Sequence, residues 1–338
     1  MIVVCGGGNI AHSLAAIISM RQPVAVMTRR PELWGERLTY VQSGKSFESK
    51  HDIFATADVS VVSHASTIFI ALPQFAIAET LESIIPFLKN GSTIIFVPAL
   101  AKACEYKEAL IGCGCNVVGF QRVPFISRVI CYGKSVSLSE HRTLHRIAVS
   151  QESIKPELQT FLSELFGGDI QFLSSFMIFV FSNSNPLLHP ARLVVLLQGG
   201  EDGHYADCPY FYAQWTDRSS ELYINADKEL KECFNVCDPL GVNRDYESVM
   251  DHYCVRSPHE MTKKIRSIMA FKAIKAPWIL TRRGWGPDFS SRYFTEDIPF
   301  GTMVIQDCAR IKGVNVPTID YMVKEIVSYH RRCGGSVL

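Results

Sequence analysis

The chain opens MIVVCGGGNIAHSLAAII: an aliphatic run of strand length, three consecutive glycines, then small and apolar residues that suit a helix packed on a sheet. No other stretch restricts the fold so tightly. The pattern G6-x-G8-x-x-A11 is the glycine turn of a dinucleotide-binding strand–turn–helix unit, in the form that ends on alanine. Gly6 permits the sharp turn and Gly8 lets the backbone approach a pyrophosphate. Ala11 is small enough for helix and strand to touch, and the helix start at Asn9, Ile10 and Ala11 offers amide donors and a partial positive charge. A glycine triplet alone also describes a flexible loop. Strand, glycines and helix in that order argue for a nucleotide.

The next strand falls at Val24–Met27 and is followed by Thr28-Arg29-Arg30, with no carboxylate until Glu32. An acidic residue at this strand end would hold the adenosine ribose hydroxyls of NAD. A hydroxyl and two guanidiniums suit a 2′-phosphate instead, so NADP(H) is expected over NAD(H). Solvated loop arginines are the plain alternative. Further on, Thr67–Leu72 and Ser92–Val97 read as buried strands, each closed by a proline, with helical spacing over Phe75–Leu88 between them and a short strand at Cys115–Gly119. Such alternation predicts a parallel sheet. Leu72, Pro73 and Pro98 then lie at strand ends where a nicotinamide would rest, although a proline that ends a strand needs no ligand to explain it.

From Gly119 the segment GFQRVPFISRVICYG is expected to leave the sheet near the nicotinamide end, with Gln121, Arg122 and Arg128 on it. Strand-rich sequence continues to about Ser150. Beyond Pro156 the pattern turns to helix-length amphipathic segments: Glu157–Phe166, Glu221–Val236, Ser248–Tyr253, His259–Phe271 and Val304–Lys312. The predicted architecture is a Rossmann-type α/β dinucleotide-binding domain over 1–150 and a mainly α-helical substrate domain over 151–338.

Composition excludes several classes. A hydrophobic share of 47% against 20% charged residues supports a sizeable buried core. A formal charge of +1 gives no general attraction to nucleic acid or an anionic membrane. The eleven cysteines include C-x-C at Cys113/Cys115 and C-x-x-x-C at Cys233/Cys237, but no second pair at zinc-ligand spacing, so no metal is expected. No basic segment precedes the apolar N-terminal stretch, and Phe172–Phe181 is far shorter than the ~20 residues a membrane span needs. A cytoplasmic protein with reduced thiols is the expectation.

Chemistry is expected from two passages in the helical half, Asn185-Pro186-Leu187-Leu188-His189-Pro190 and Arg292-Tyr293-Phe294-Thr295-Glu296-Asp297-Ile298-Pro299-Phe300-Gly301. With GGGNIA at the start, N-P-x-x-H-P, R-x-x-x-E-D-x-P-F-G, and Gly313-Val314-x-x-Pro317-x-Ile319-Asp320, the chain resembles the opine dehydrogenase (octopine/nopaline dehydrogenase) family over most of its length. The resemblance implies two-domain enzymes with the active site between the domains, using NADH or NADPH to condense an amine with a 2-oxo acid reductively. It implies that His189 is the acid/base, that Asp297 orients it, and that Arg292 binds a substrate carboxylate. Gln121 is implied as a contact to the oxo acid. Asn185 fits a bond to substrate or nicotinamide, and equally a helix cap before Pro186. Read without the motif, His189 is a core or capping histidine and Asp297 a turn residue. Where this family more often carries a glycine-containing turn after the strand at Ile94–Val97, the chain reads Pro98-Ala99-Leu100-Ala101. The rival readings are a ketopantoate-reductase-like or 2-hydroxyacid reductase and a catalytically silent nucleotide sensor. The expected partners are small-molecule amine and 2-oxo acid substrates, with a homodimer left open and no nucleic acid or membrane.

Overall fold

Ile2–Cys5 forms β1, and all four residues are buried, as a strand covered on both faces requires. Gly6 ends it with φ +140°. A side chain at that position would collide with the Ala71 carbonyl, so only glycine fits. Asn9–Ile18 follows as α1. The computed structural model describes residues 1–335, and their contacts gather into two units, 1–179 and 180 onward.

The first unit continues through β2 (Val24–Met27), β3 (Thr39–Gln42), β4 (Lys45–Glu48), β5 (Ile53–Thr56) and β6 (Thr67–Ile70). Helix α2 (Gln74–Ile84), β7 (Thr93–Phe96), α3 (Ala101–Gly112) and β8 (Asn116–Phe120) come next. Then follow β9 (Phe125–Cys131), β10 (Ser135–His141), β11 (Leu144–Val149), α4 (Lys155–Phe166) and β12 (Asp169–Phe172). Eight strands make one sheet in the order β12-β11-β8-β7-β6-β1-β2-β5. Its pairs are parallel except β11 against β8. β1 sits between β2 and β6, so the chain reverses its direction across the sheet there. The glycine turn leaves the carboxyl end of that strand, where such sheets open a ligand crevice.

Two features of this unit go beyond the expectation. Phe125–Cys131 does leave the main sheet, but as β9 of a second sheet, of order β4-β3-β10-β9. Phe125 and Ser127 are buried while Ile126 and Arg128 face outward, the alternation of a half-covered strand. Helix α1 packs on β9 and β10 as well as on the main sheet, and Ala11 through Ala16 are buried all round. The second is a correction of the domain boundary, which moves from 150 to 179/180. β11 pairs with both β8 and β12, and α4 adds Leu158, Leu162, Leu165 and Phe166 to the core that holds Val4, Leu14 and Phe69. The first amphipathic helix of the presumed helical domain therefore belongs to the α/β unit.

A four-residue helix, α5 (Ile178–Phe181), stands at the boundary, so Phe172–Phe181 is not one buried element. The second unit contains α6 (Asn185–Gln198), α7 (Asp217–Cys237), α8 (Pro239–Asp245), α9 (Val249–Tyr253) and α10 (Pro258–Ser267). A hairpin follows, β13 (Trp278–Thr281) paired antiparallel with β14 (Gly284–Pro287). A π-helical segment, Tyr293–Thr302, leads into α11 (Met303–Lys312) and then α12 (Pro317–Arg332). Helix α6 packs against α7, α12 and the π-helical segment, around a core that includes Phe211, Trp215, Tyr223, Phe234 and Phe294. Among the described residues no helix is long and apolar enough to cross a membrane.

Candidate active site

The odd composition of residues 185–190 has a structural reason. Pro186 occupies the first turn of α6, where backbone N–H groups have no intrahelical acceptor to lose. Pro190 lies inside the helix and has no N–H to offer the Pro186 carbonyl four residues earlier. Thr302 supplies the missing donor: its Oγ1 gives a hydrogen bond to that carbonyl at 2.6 Å, and the same hydroxyl lies 3.2 Å from the Asp297 carbonyl. Gly301 allows this approach, since a Cβ there would sit 2.5 Å from Pro186 Cγ. The helix defect thus becomes a docking point for the π-helical segment.

That docking joins the two motifs. His189 Nδ1 lies 2.7 Å from Asp297 Oδ2, across 108 residues of sequence. The imidazole is 5% exposed and the carboxylate side chain 16%. A carboxylate only accepts, so Nδ1 carries the proton and the neutral ring has its lone pair on Nε2. Nε2 is also occupied: the Tyr212 hydroxyl stands 3.0 Å away and donates to it in that state. The Tyr293 ring covers the imidazole with centroids 4.0 Å apart, and Phe211 meets its edge at 5.6 Å. Tyr293 and Asp297 are four residues apart on the same segment, so both reach the histidine. Burial foremost, with the neighbouring Tyr293, pushes the Tyr212 hydroxyl well above the usual phenol range, and burial likewise raises Tyr293.

Tyr212 is itself held in place. Its ring stacks on Phe271 at 4.2 Å. One residue before it, the Phe211 carbonyl accepts from Arg192 Nε at 3.0 Å. Arg192 lies on α6 three residues after His189 and is 3% exposed; burial lowers its guanidinium to about 10. Sequence reasoning missed Tyr212, Tyr293, Arg192 and Thr302. Two signals were available: the interior proline at 190 demands an outside donor, and Tyr293 precedes Asp297 by one turn.

The other expected residues fall as follows. Arg292 has an exposed side chain, and its Nε donates to the buried Glu296 carboxylate. Asn185 is the first residue of α6 with its side chain exposed, while Ser184 takes the cap position. Gln121 follows β8 in the first unit, and its N–H donates to the Arg146 carbonyl. Leu72 and Pro73 follow β6 and Pro98 follows β7, all partly exposed at strand ends as expected.

The glycine turn fits a dinucleotide. No side chain caps α1, and a Cβ built on Gly8 meets nothing within 4 Å, so room is left above the amides of the first turn. The Asn9 side chain is turned away, accepting from Val129 N–H at 2.8 Å; its backbone remains part of the turn. His12 fixes the turn from below: Nδ1–H donates to the Gly8 carbonyl at 2.9 Å and Nε2 accepts from Gly133 N–H at 2.7 Å. Burial keeps this histidine below its usual range. At the end of β2, Thr28 is buried and Arg29 and Arg30 are exposed. Among the described residues no group of three or more His, Cys, Asp or Glu could hold a metal ion, and all eleven cysteines are free.

Comparison with known proteins bears on the whole assembly. Residues 172–330 match the family model of the NAD/NADP octopine/nopaline dehydrogenase α-helical domain. The octopine dehydrogenase of Pecten maximus is 22% identical, over 95% of this chain and 88% of its own length. The tauropine dehydrogenase of Arabella iricolor is 26% identical, over 96% and 90%. A solved octopine dehydrogenase with NADH and pyruvate shares the fold at TM-score 0.85, with 21% identity, over 97% of this chain and 88% of that one.

Proposed function

We propose that the chain, whose residues 172–330 match the α-helical domain of the octopine/nopaline dehydrogenases, is an NAD(P)H-dependent oxidoreductase of the opine dehydrogenase family acting on a CH–NH bond. It joins the amino group of an amino acid, or another amine, to a 2-oxo acid by reduction of the intervening imine. The observation that carries this reading is the His189–Asp297 pair, brought to 2.7 Å from motifs more than a hundred residues apart. A nucleotide sensor has no use for such a pair.

The reaction needs an acid. Amine and oxo acid condense with loss of water; the imine carbon then takes hydride and the nitrogen takes a proton. One proton is consumed overall. The bound nicotinamide supplies the hydride and the protein supplies the proton. His189 suits this task because an imidazole can both take up and give up a proton, and Asp297 on Nδ1 fixes the tautomer and stabilises the imidazolium. Arg292 engages Glu296 through Nε, so the two Nη groups form the edge that meets a substrate carboxylate. Gln121 and Asn185 are assigned to the oxo acid and to the substrate or nicotinamide amide. The exposed Arg29 and Arg30 beside Thr28 favour NADPH through its 2′-phosphate.

The experiment is a screen of amine and 2-oxo acid pairs for NADPH and NADH oxidation, with the product identified by mass spectrometry. Oxidation that requires both substrates and a product containing both carbon skeletons is expected. Equal turnover of the oxo acid alone would replace the reading with a 2-hydroxyacid reductase. Tight nucleotide binding without turnover of any pair would replace it with a sensor.

A further inference from the structure

The turn between β9 and β10 carries Tyr132 and Gly133, and it reaches back to the glycine turn that opens the chain. Gly6 N–H donates to the Met27 carbonyl at 2.9 Å, which sets Gly7 beside Thr28. A Cβ built on Gly7 would lie 2.5 Å from the Tyr132 hydroxyl and 2.8 Å from Thr28 Oγ1. The two hydroxyls therefore flank one point above the glycine backbone. Thr28 stands about 20 residues beyond the glycines, where a dinucleotide site meets the 2′ position of the adenosine ribose. We infer that the Tyr132 hydroxyl, together with Thr28, binds the 2′-phosphate of NADP(H) and is a specificity-determining contact, held in place by the second sheet. This rests on the NADPH preference proposed above and assigns it a further residue.

The pair suits a charged acceptor. The Tyr132 and Thr28 oxygens are 3.4 Å apart, beyond the range of about 2.5–3.0 Å typical of an O–H···O bond. Little is lost when both protons turn to an incoming oxygen. A bond donated to a phosphate oxygen is about twice as strong as one to a neutral hydroxyl, so the pair discriminates in favour of the phosphorylated ribose. Arg29 and Arg30, exposed immediately after Thr28, supply the balancing charge. The position of Tyr132 is fixed from two sides. His12 on α1 accepts the Gly133 N–H through Nε2 at 2.7 Å, and its ring lies 5.0 Å from the Tyr132 ring and 4.2 Å from Trp34. Gly35, in the loop that follows the two arginines, donates its N–H to the Gly133 carbonyl at 2.9 Å. Gly133, at φ +68°, admits no side chain, because a Cβ there would collide with the Leu33 carbonyl. The arginine loop and the Tyr132 turn are thus pinned together, and donors already held in place bind without a further loss of freedom.

Tyr132→Phe removes one oxygen and keeps the ring beside His12. Calorimetric titration of the full-length protein with NADPH, NADH, adenosine 2′,5′-bisphosphate and 5′-AMP reads binding without turnover. The variant is expected to lose about tenfold in affinity for NADPH and for the bisphosphate, and to keep its affinity for NADH and 5′-AMP within about twofold. Its Tm without nucleotide should match the wild type. Thr28→Val should shift the same ratios in the same direction. The loss in Tyr132→Phe should persist at high salt, because a neutral donor is not screened as the exposed Arg29 is. A wild type that prefers NADPH, with that preference undiminished in Tyr132→Phe, would overturn the assignment of Tyr132 and leave the arginines as its source. Equal losses for NADPH and NADH would also overturn it, since the hydroxyl would then only brace the turn. A wild type that binds neither 2′-phosphate ligand more tightly than its counterpart would overturn the NADPH preference itself, and this contact with it.

Discussion

The glycine turn of the first unit and the histidine–aspartate pair of the second are both small constellations of a few residues, but they are specified over different distances. The turn is nearly contiguous. Gly6, Gly8 and the start of α1 lie within six residues, and β2 and β6 flank them directly in the sheet. The pair spans 108 residues, and the segment that carries Asp297 docks where Thr302 satisfies the carbonyl that Pro190 leaves free. A locally written site is tied to local backbone geometry, so breaking it disturbs binding and folding together. A site assembled over a long distance can lose its chemistry while the chain stays folded.

The largest effect follows from that contrast. His189→Ala should lower kcat by about a thousandfold and leave the nucleotide Kd unchanged, since the imidazole belongs to the second unit. Steady-state kinetics beside NADPH fluorescence titration separates the two quantities; equal losses in both would erase the distinction drawn here. The local site should behave oppositely. Gly6→Ala places a Cβ against the Ala71 carbonyl at φ +140°. A destabilisation of about 2–4 kcal/mol is expected, with nucleotide affinity weakened by about a hundredfold. Thermal unfolding with and without NADPH measures both, and an unchanged melting temperature would show that the turn tolerates a side chain.

The same contrast explains what could be read in the sequence. The turn, the parallel strands and the identity of His189 and Asp297 were legible because each is written in a short pattern. The second sheet was not. Ser127 and Arg128 break the apolar alternation of β9, and the four exposed residues of β4 offer no hydrophobic period at all. The boundary at 150 failed because α4 has the same amphipathic pattern whether it covers a sheet or joins a bundle; only the partners of β11 and β12 decide. Tyr212 was not legible, since nothing local says that its hydroxyl meets a histidine 23 positions earlier.

Thr302 tests the junction itself. Thr302→Val keeps the shape and removes the hydroxyl, leaving the buried Pro186 carbonyl without its side-chain donor. A loss of about 1–2 kcal/mol is expected, with kcat reduced by about tenfold as Asp297 loses its registration on His189. Thr302→Ser should restore both. Rescue of stability without rescue of kcat would mean that the hydroxyl braces the helix but does not align the pair.

The smallest effect belongs to the edge of the local site. Arg29 is exposed at the end of β2, so its attraction to a 2′-phosphate is screened by solvent and salt. Arg29→Ala should therefore reduce the NADPH-over-NADH preference only about three- to tenfold, with Arg30 retaining part of it. The loss should shrink as salt rises, because the interaction is ionic and open to water. NADH affinity should hardly change, since that nucleotide has no 2′-phosphate. A ratio of Kd values that is the same in the variant and the wild type would remove the 2′-phosphate from the account of this strand end.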